Sequence, residues 1–173
     1  MDLKTKIREI PDWPIKGVNF KDISTIIEDA EAFKYVIDNL LAPYQNQKID
    51  KVVGIDARGF LLCSAMAYQL KTGCVMIRKK GKLPSKTINK DYALEYGTNT
   101  IEMHEDSVKP GEKIIIVDDL LATGGTMAAA IDLVKQLGGD IVGISYIIDL
   151  VFLKGKEKLK GYPIYALVEY ESE

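Results

Sequence analysis

A chain of 173 residues with 47% hydrophobic content is of single-domain length and can bury one substantial core. Its formal charge of −2 gives no general reason to bind nucleic acid or an acidic membrane, so any anion must be met by a local basic cluster. No apolar run approaches membrane-spanning length and the start MDLKTKIREI lacks the hydrophobic core of a signal peptide, so a soluble cytoplasmic protein is expected.

Taken in order, residues 2–10 place Leu3, Ile7 and Ile10 on one side of a short predicted helix, and Pro11 and Pro14 end it around Trp13. Residues 17–24 mix apolar and polar positions in an extended pattern, expected to be a loop pinned to the core by Phe20 and Ile23. From Asp29, a fitting N-cap, to Leu41 the spacing of Phe33, Val36, Ile37, Leu40 and Leu41 predicts an amphipathic helix that Pro43 closes. Lys51-Val52-Val53-Gly54-Ile55 reads as the first buried strand of the main sheet. The chain then switches to an apolar helix ending near Leu70, with Arg58 at the switch.

Cys74-Val75-Met76-Ile77 predicts the next strand, which runs into Arg78-Lys79-Lys80-Gly81-Lys82, the densest positive patch in the chain. Alone, such a run is a solvated loop or a weak nucleic-acid contact, but at the carboxyl end of a parallel sheet it can neutralise an anion of several charges. The polar segment between Pro84 and Gly97 reads as a mobile loop or lid. Residues 100–104 alternate as an antiparallel strand should, with His104 at the end. The sequence shows no Ser or Cys nucleophile constellation around that histidine, so it is read as a surface residue and a hydrolase triad is rejected. Cys63 and Cys74 fall in a predicted helix and strand without metal-ligand spacing, and buried reduced thiols are expected.

Residues 113–137, KIIIVDDLLATGGTMAAAIDLVKQL, are the stretch the others serve. The β-branched run of Ile114, Ile115, Ile116 and Val117 suits a strand covered on both faces. Asp118 and Asp119 follow at once, and since neighbouring strand residues point to opposite faces, two useful carboxylates imply a chain already turning there. The small residues Ala122, Thr123, Gly124, Gly125 and Thr126 let backbone amides approach an anion, and Met127, Ala130, Ile131, Val134 and Leu137 lie at helical spacing before Gly138-Gly139. A strand, a glycine-containing turn and a helix N-terminus form a phosphate cradle. The Gly-Lys-Ser/Thr ending of a nucleotide-triphosphate loop is absent, as is the dinucleotide fingerprint. A single terminal phosphate fits the loop and a vicinal diol fits the carboxylates; a structural turn bearing two exposed aspartates is the plainer alternative.

VDDLLATGGT resembles the phosphoribosyl-diphosphate-binding motif of the type I phosphoribosyltransferases, in the wording of their adenine-specific members. The resemblance covers nearly the whole chain and implies several roles. The segment with Asn19, Phe20 and Lys21 matches a hood over the base, spanning about residues 1–28, in which the aromatic ring stacks on adenine and main-chain groups read its edge. Stacking on a purine adds roughly 1 kcal/mol beyond area burial. Arg58, with Arg78, Lys79 and Lys82, would engage diphosphate, and a non-proline cis peptide is implied at or beside Asp56-Ala57. Glu95 matches the catalytic glutamate near the base, at the end of a lid covering about residues 81–98. Asp118 and Asp119 would hold the ribose hydroxyls, and Ala122, Thr123, Gly124, Gly125 and Thr126 the sugar phosphate. Magnesium is implied as cofactor, carried mainly by substrate oxygens and water rather than by protein ligands. A homodimer is implied too, with Arg78 reaching toward the neighbouring site. Lys21 and Ala57 stand where arginine and serine are familiar in relatives.

Strands and helices alternate through most of the chain, with an antiparallel strand inserted before the central motif. This predicts an α/β fold, an open and mainly parallel sheet flanked by helices. The implied activity is transfer of 5-phosphoribosyl from phosphoribosyl diphosphate to adenine, giving AMP and diphosphate. The alternatives are the same transfer to another purine, or a non-catalytic regulator sensing a purine or the sugar donor.

Overall fold

The structure, a computed structural model, describes residues 1–93 and 98–172. Its first residues are not the expected helix. Leu3–Thr5 is a single 3-10 turn capped by the Asp2 carboxylate, and Arg8–Ile10 (β1) pairs antiparallel with Phe20–Asp22 (β2) in register Ile10↔Phe20. So short a helix is marginal in water, whereas the ribbon satisfies backbone groups on both sides of the proline-containing loop and still buries Leu3 and Ile7. Phe20 is thereby held on a strand instead of a loop, with the Trp13 ring edge-on to it at 4.4 Å.

Ser24–Ile27 (α1) leads into Ala30–Leu41 (α2), whose N-terminus is capped as its sequence predicts: the Asp29 carboxylate accepts from the amides of Glu31 and Ala32. Lys51–Ile55 (β3), Gly59–Leu70 (α3) and Gly73–Lys79 (β4) form a parallel β-α-β unit. Thr87–Ala93 (β5) and Thr98–His104 (β6) follow, then Lys113–Leu121 (β7), Gly125–Gln136 (α4), Asp140–Leu150 (β8) and Ile164–Tyr170 (β9). The main sheet has seven strands in the order β5-β6-β4-β3-β7-β8-β9. The run from β4 to β9 is parallel, while β6 is antiparallel to β4 and β5 antiparallel to β6. The expected α/β sheet is present.

Two corrections concern the site. Within the segment read as a loop or lid, residues 87–93 are not a loop but a strand, pairing in full register with residues 98–104. The chain also does not turn at Asp118-Asp119: β7 continues to Leu121, with Asp118 opposite Tyr146 and Leu120 opposite Ile148 on β8. The partner strand is long enough to keep supplying ladder bonds there, so the charged pair stays in extended backbone.

Ile114, Ile115, Ile116 and Val117 have no exposed surface, which accounts for a run without polar alternation. Ile115 and Val117 pack with Val36, Leu40, Leu62 and Met66 beneath α2 and α3; Ile114 and Ile116 pack with Met127, Ala130 and Val134 beneath α4. At about 1.5–3 kcal/mol for each fully buried large aliphatic, this strand anchors both layers. Inside the first layer the Tyr44 hydroxyl meets Ser145 Oγ at 2.9 Å, and Gly143 leaves room for the tyrosine ring. Burial raises the Tyr44 phenol far beyond its ordinary range, so it stays neutral. Tyr44→Phe should orphan the serine hydroxyl and cost about 1–2 kcal/mol, lowering Tm by roughly 2–4 °C per kcal/mol. A thermal melt that overlays the parent's would show that this bond contributes no net stability.

Candidate active site

Ligands of open parallel sheets sit beyond the carboxyl ends of the strands. Here β3, β4 and β7 end together, and a recess of about 360 Å³ opens between them, lined by Ile55, Asp56, Ala57, Arg58, Tyr92, Asp118, Asp119 and Thr126. A smaller recess of about 90 Å³ continues from Asp118 along Leu120 to Met127 and reaches Tyr146. A larger hollow of about 740 Å³ lies between the N-terminal residues and β9, but none of the predicted site residues reaches it.

The phosphate-loop residues form one wall. Gly124, at φ +78°, takes the left-handed conformation just before α4, and a Cβ there would come within 2.5 Å of the Gly155 carbonyl oxygen. Gly155 in turn has no room for a side chain against the Ala122 carbonyl. The two glycines let the loop lie directly on the β8-to-β9 connection. No side chain caps α4, so its first amides and the positive end of its dipole are available to an anion. The end of β5 covers the opening: the Ala93 carbonyl and the Tyr92 ring lie against Gly125, and Lys90 pairs with Asp132 at 2.8 Å.

The acids form the other wall. The Asp118 carboxylate accepts from the Asp119 amide at 2.9 Å, and Arg58 Nε donates to Asp119 Oδ2 at 2.5 Å. The Arg58 guanidinium also lies 5.3 Å from the centre of the Phe20 ring, which joins β2 to the recess. Asp119 is buried and Asp118 intermediate in exposure. Burial, and next the Asp119 charge, push the Asp118 carboxyl well above the ordinary carboxylate range, against the Asp119 amide and the more distant Arg58. Burial, and after it the charges of Asp118, Asp149 and Asp119, raise the Tyr146 phenol, which stays neutral beside them.

The remaining predicted residues are distributed unevenly. Arg78 Nε donates to Asp56 Oδ2 at 3.2 Å and its Nη1 to the Lys82 carbonyl at 3.3 Å, so it braces the turn before Arg58, where the Asp56-Ala57 peptide is cis. The side chains of Lys79 and Lys82 are exposed, and neither lines the two recesses. The Lys21 ammonium turns away, to Glu9 at 3.1 Å and over the Tyr170 ring at 4.4 Å. Asn19 Nδ2 donates to Glu9 at 2.9 Å. Glu95 lies outside the described residues. His104 is half-buried, not a surface residue as expected.

Glu102 is a site-organising residue that sequence reasoning missed. It is buried on β6 and accepts from the amides of Lys82 and Leu83 at 2.9 and 2.8 Å, so a carboxylate holds the basic loop in place. Burial alone would raise its carboxyl, but the amides of Leu83, Gly81 and Lys82 and the Thr87 hydroxyl outweigh that and lower it. A charged residue at an alternating position of an antiparallel strand was the available signal, and it reads the same when solvated. Among the described residues no three acidic, histidine or cysteine side chains converge on a metal position.

The raised Asp118 carboxyl carries a stability cost with a definite sign. A carboxyl that holds its proton more tightly in the folded state lends full stability below its unfolded value, near pH 4, and loses it as pH rises through the folded value. Asp118→Asn should therefore melt above the parent at pH 7, with the gain vanishing below about pH 4. A gain that persists or grows in acid would contradict this origin.

A family model described as phosphoribosyl transferase domain matches residues 24–162. An adenine phosphoribosyltransferase of Desulfosudis oleivorans is 51% identical over 173 residues, covering the whole of both chains. The crystal structure of adenine phosphoribosyltransferase from Thermoanaerobacter pseudethanolicus superposes with a TM-score of 0.94 at 47% identity, covering 98% of each chain. The Saccharomyces cerevisiae enzyme, solved with an imino-altritol bisphosphate and adenine, superposes at 0.92 with 36% identity, covering 96% of this chain and 97% of its own. With its recess at the sheet's carboxyl ends and a full-length match to these relatives, the chain belongs to the phosphoribosyltransferase family.

Proposed function

We propose that this chain is an adenine phosphoribosyltransferase of purine salvage, transferring 5-phosphoribosyl from phosphoribosyl diphosphate to adenine with formation of AMP and diphosphate. One observation carries the reading: two carboxylates and the uncapped amides of α4 line connected recesses, acceptors for a diol at one end and donors for a phosphate at the other. The full-length likeness to adenine phosphoribosyltransferases supports the choice of base.

In this reading Asp118 and Asp119 accept from the ribose hydroxyls, while the amides of Ala122, Thr123, Gly124, Gly125 and Thr126 hold the 5-phosphate. Arg58 has five N–H donors, enough to keep Asp119 through Nε and offer its other edge to diphosphate. Arg78, Lys79 and Lys82 add positive charge at the rim. Departure of diphosphate leaves positive charge on the sugar, and the chain's task is to stabilise the leaving anion and align the incoming base nitrogen on the opposite face. Phe20 stacks on adenine, the main chain at Asn19 and Lys21 reads its edge, and Glu95 takes the role of proton acceptor or donor to the base. Magnesium, when bound, neutralises part of the diphosphate charge. Asp118 and Asp119 are engaged with the sugar and with Arg58, which suits an ion carried by substrate oxygens and water. The chain acts as one domain with a hood over about residues 1–28 and a lid over about 81–98, working as a cytoplasmic homodimer in which Arg78 approaches the neighbouring site. Among the described residues no helix is long and apolar enough to cross a membrane.

Steady-state turnover with a panel of purines, magnesium and the sugar donor tests the proposal. Adenine should be the preferred acceptor; failure to form AMP, or preference for guanine, hypoxanthine or xanthine, would replace this reading with a different purine or a sensing role. In the same assay Asp119→Asn should lower kcat/KM for the donor by about 10- to 100-fold, or 1.4–2.7 kcal/mol, while the fold is retained. Light scattering at working concentration should return twice the mass of one chain, and an active monomer would remove the dimer from the proposal.

A further inference from the structure

The chain's two cysteines lie in different elements and serve none of the contacts described above. Cys63 is one turn into α3 and fully buried; Cys74 is near the start of β4 and exposed, contrary to the expectation of two buried thiols. Their sulfur atoms nevertheless meet at 2.7 Å. The contact is built by packing. Gly54 on β3 leaves the space that the Cys63 Cβ occupies, and Cys74 pairs with Val52 on the same strand, so α3 is pressed onto β3 with Cys63 over its neighbour. The Cys63 sulfur also lies 3.2 Å from the Val52 carbonyl oxygen, a second acceptor within reach of its thiol hydrogen.

Access is one-sided. Cys74 opens onto a recess of about 250 Å³ lined by Lys51, Met76, His104, Asp106 and Ser107, while Cys63 has no exposed surface. An exposed thiol in a polar recess with a buried second thiol in contact is the arrangement in which one sulfur meets an oxidant and the other resolves the product. We propose that Cys63 and Cys74 are a reversible disulfide-forming site for small oxidised thiols such as glutathione disulfide.

The exchange runs in two steps. The Cys74 thiolate attacks one sulfur of glutathione disulfide, forming a mixed disulfide and releasing one glutathione thiolate. Cys63 then attacks the Cys74 sulfur, its proton passing to the second glutathione as that leaves. One glutathione disulfide is reduced to two thiols and the two cysteines are oxidised to one disulfide. The order follows from the asymmetry of the pair. The hydrogen bond from Cys63 lowers the Cys74 thiol to about 7 against the opposing effect of burial, while the contact with Cys74 and burial raise the Cys63 thiol. The bond would tie α3 to the amino end of β4, away from Arg78 at its carboxyl end, so the proposal is independent of the phosphoribosyl reading.

The test is intact-mass spectrometry of the native protein after incubation with glutathione disulfide, with thiols alkylated under denaturing conditions. Expected is loss of both free thiols in a species two hydrogen atoms lighter than the reduced chain, reversed by dithiothreitol and formed faster as pH rises through about 7. Cys63→Ala should stop at a single glutathione adduct on Cys74, and Cys74→Ser should give neither product. Alkylation of both cysteines in the treated parent, or a glutathione adduct that persists in it, would overturn the proposal. Because the parent protein alone separates those results, it survives a failure of either variant to fold.

Discussion

Adjacent carboxylates facing one guanidinium are the constraint around which the end of β7 is organised. Asp118 and Asp119 are consecutive in extended backbone, and a single donor, Arg58 Nε, pairs with Asp119. Like charges that close raise each other's cost of ionisation, and burial raises it further. The surroundings compensate only in part, through the Asp119 amide and Arg58. Such a corner is poorly made for folding and well made for a ligand that brings hydroxyl donors. Under the proposed function, that cost is the familiar trade between stability and activity.

The rest of the sheet makes that cost tolerable. Four aliphatic residues of β7 with no exposed surface precede the acids, and they pack against helices on both sides. Parallel pairing with β3 and β8 then fixes where the strand ends relative to Arg58 and Tyr146. Position on the carboxyl edge of the sheet is thus a result of core packing, and the chemistry inherits it. Glu102 and Asp56 play a comparable part at a smaller scale: Glu102 accepts from the Lys82 amide and Asp56 from Arg78, so the basic segment is held by negative charge.

What could be read from the sequence followed physical range. The buried strands, the Asp29 cap and the strand-turn-helix at residues 113–137 depend on neighbours in the chain, and they were legible. The pairing of residues 8–10 with 20–22 and of 87–93 with 98–104 depends on partners beyond a proline-rich loop and in a polar segment, where periodicity is weak. Asp118 and Asp119 were expected to need a turn to act together, yet the strand runs on and the recess reaches both from its end. The Lys21 ammonium, aimed at Glu9 and Tyr170, and the Glu102 carboxylate, aimed at loop amides, are decided by tertiary neighbours that no local pattern announces.

Gly124 and Gly155 rest backbone on backbone, with no side-chain atoms between them to yield. Two loops joined that way constrain each other, so the turn before α4 takes its shape partly from the connection after β8. Evolution can adjust a pocket by swapping side chains, but it has no such dial here. Change in either loop must come as a concerted rebuilding of both, because the contact between them is made of backbone.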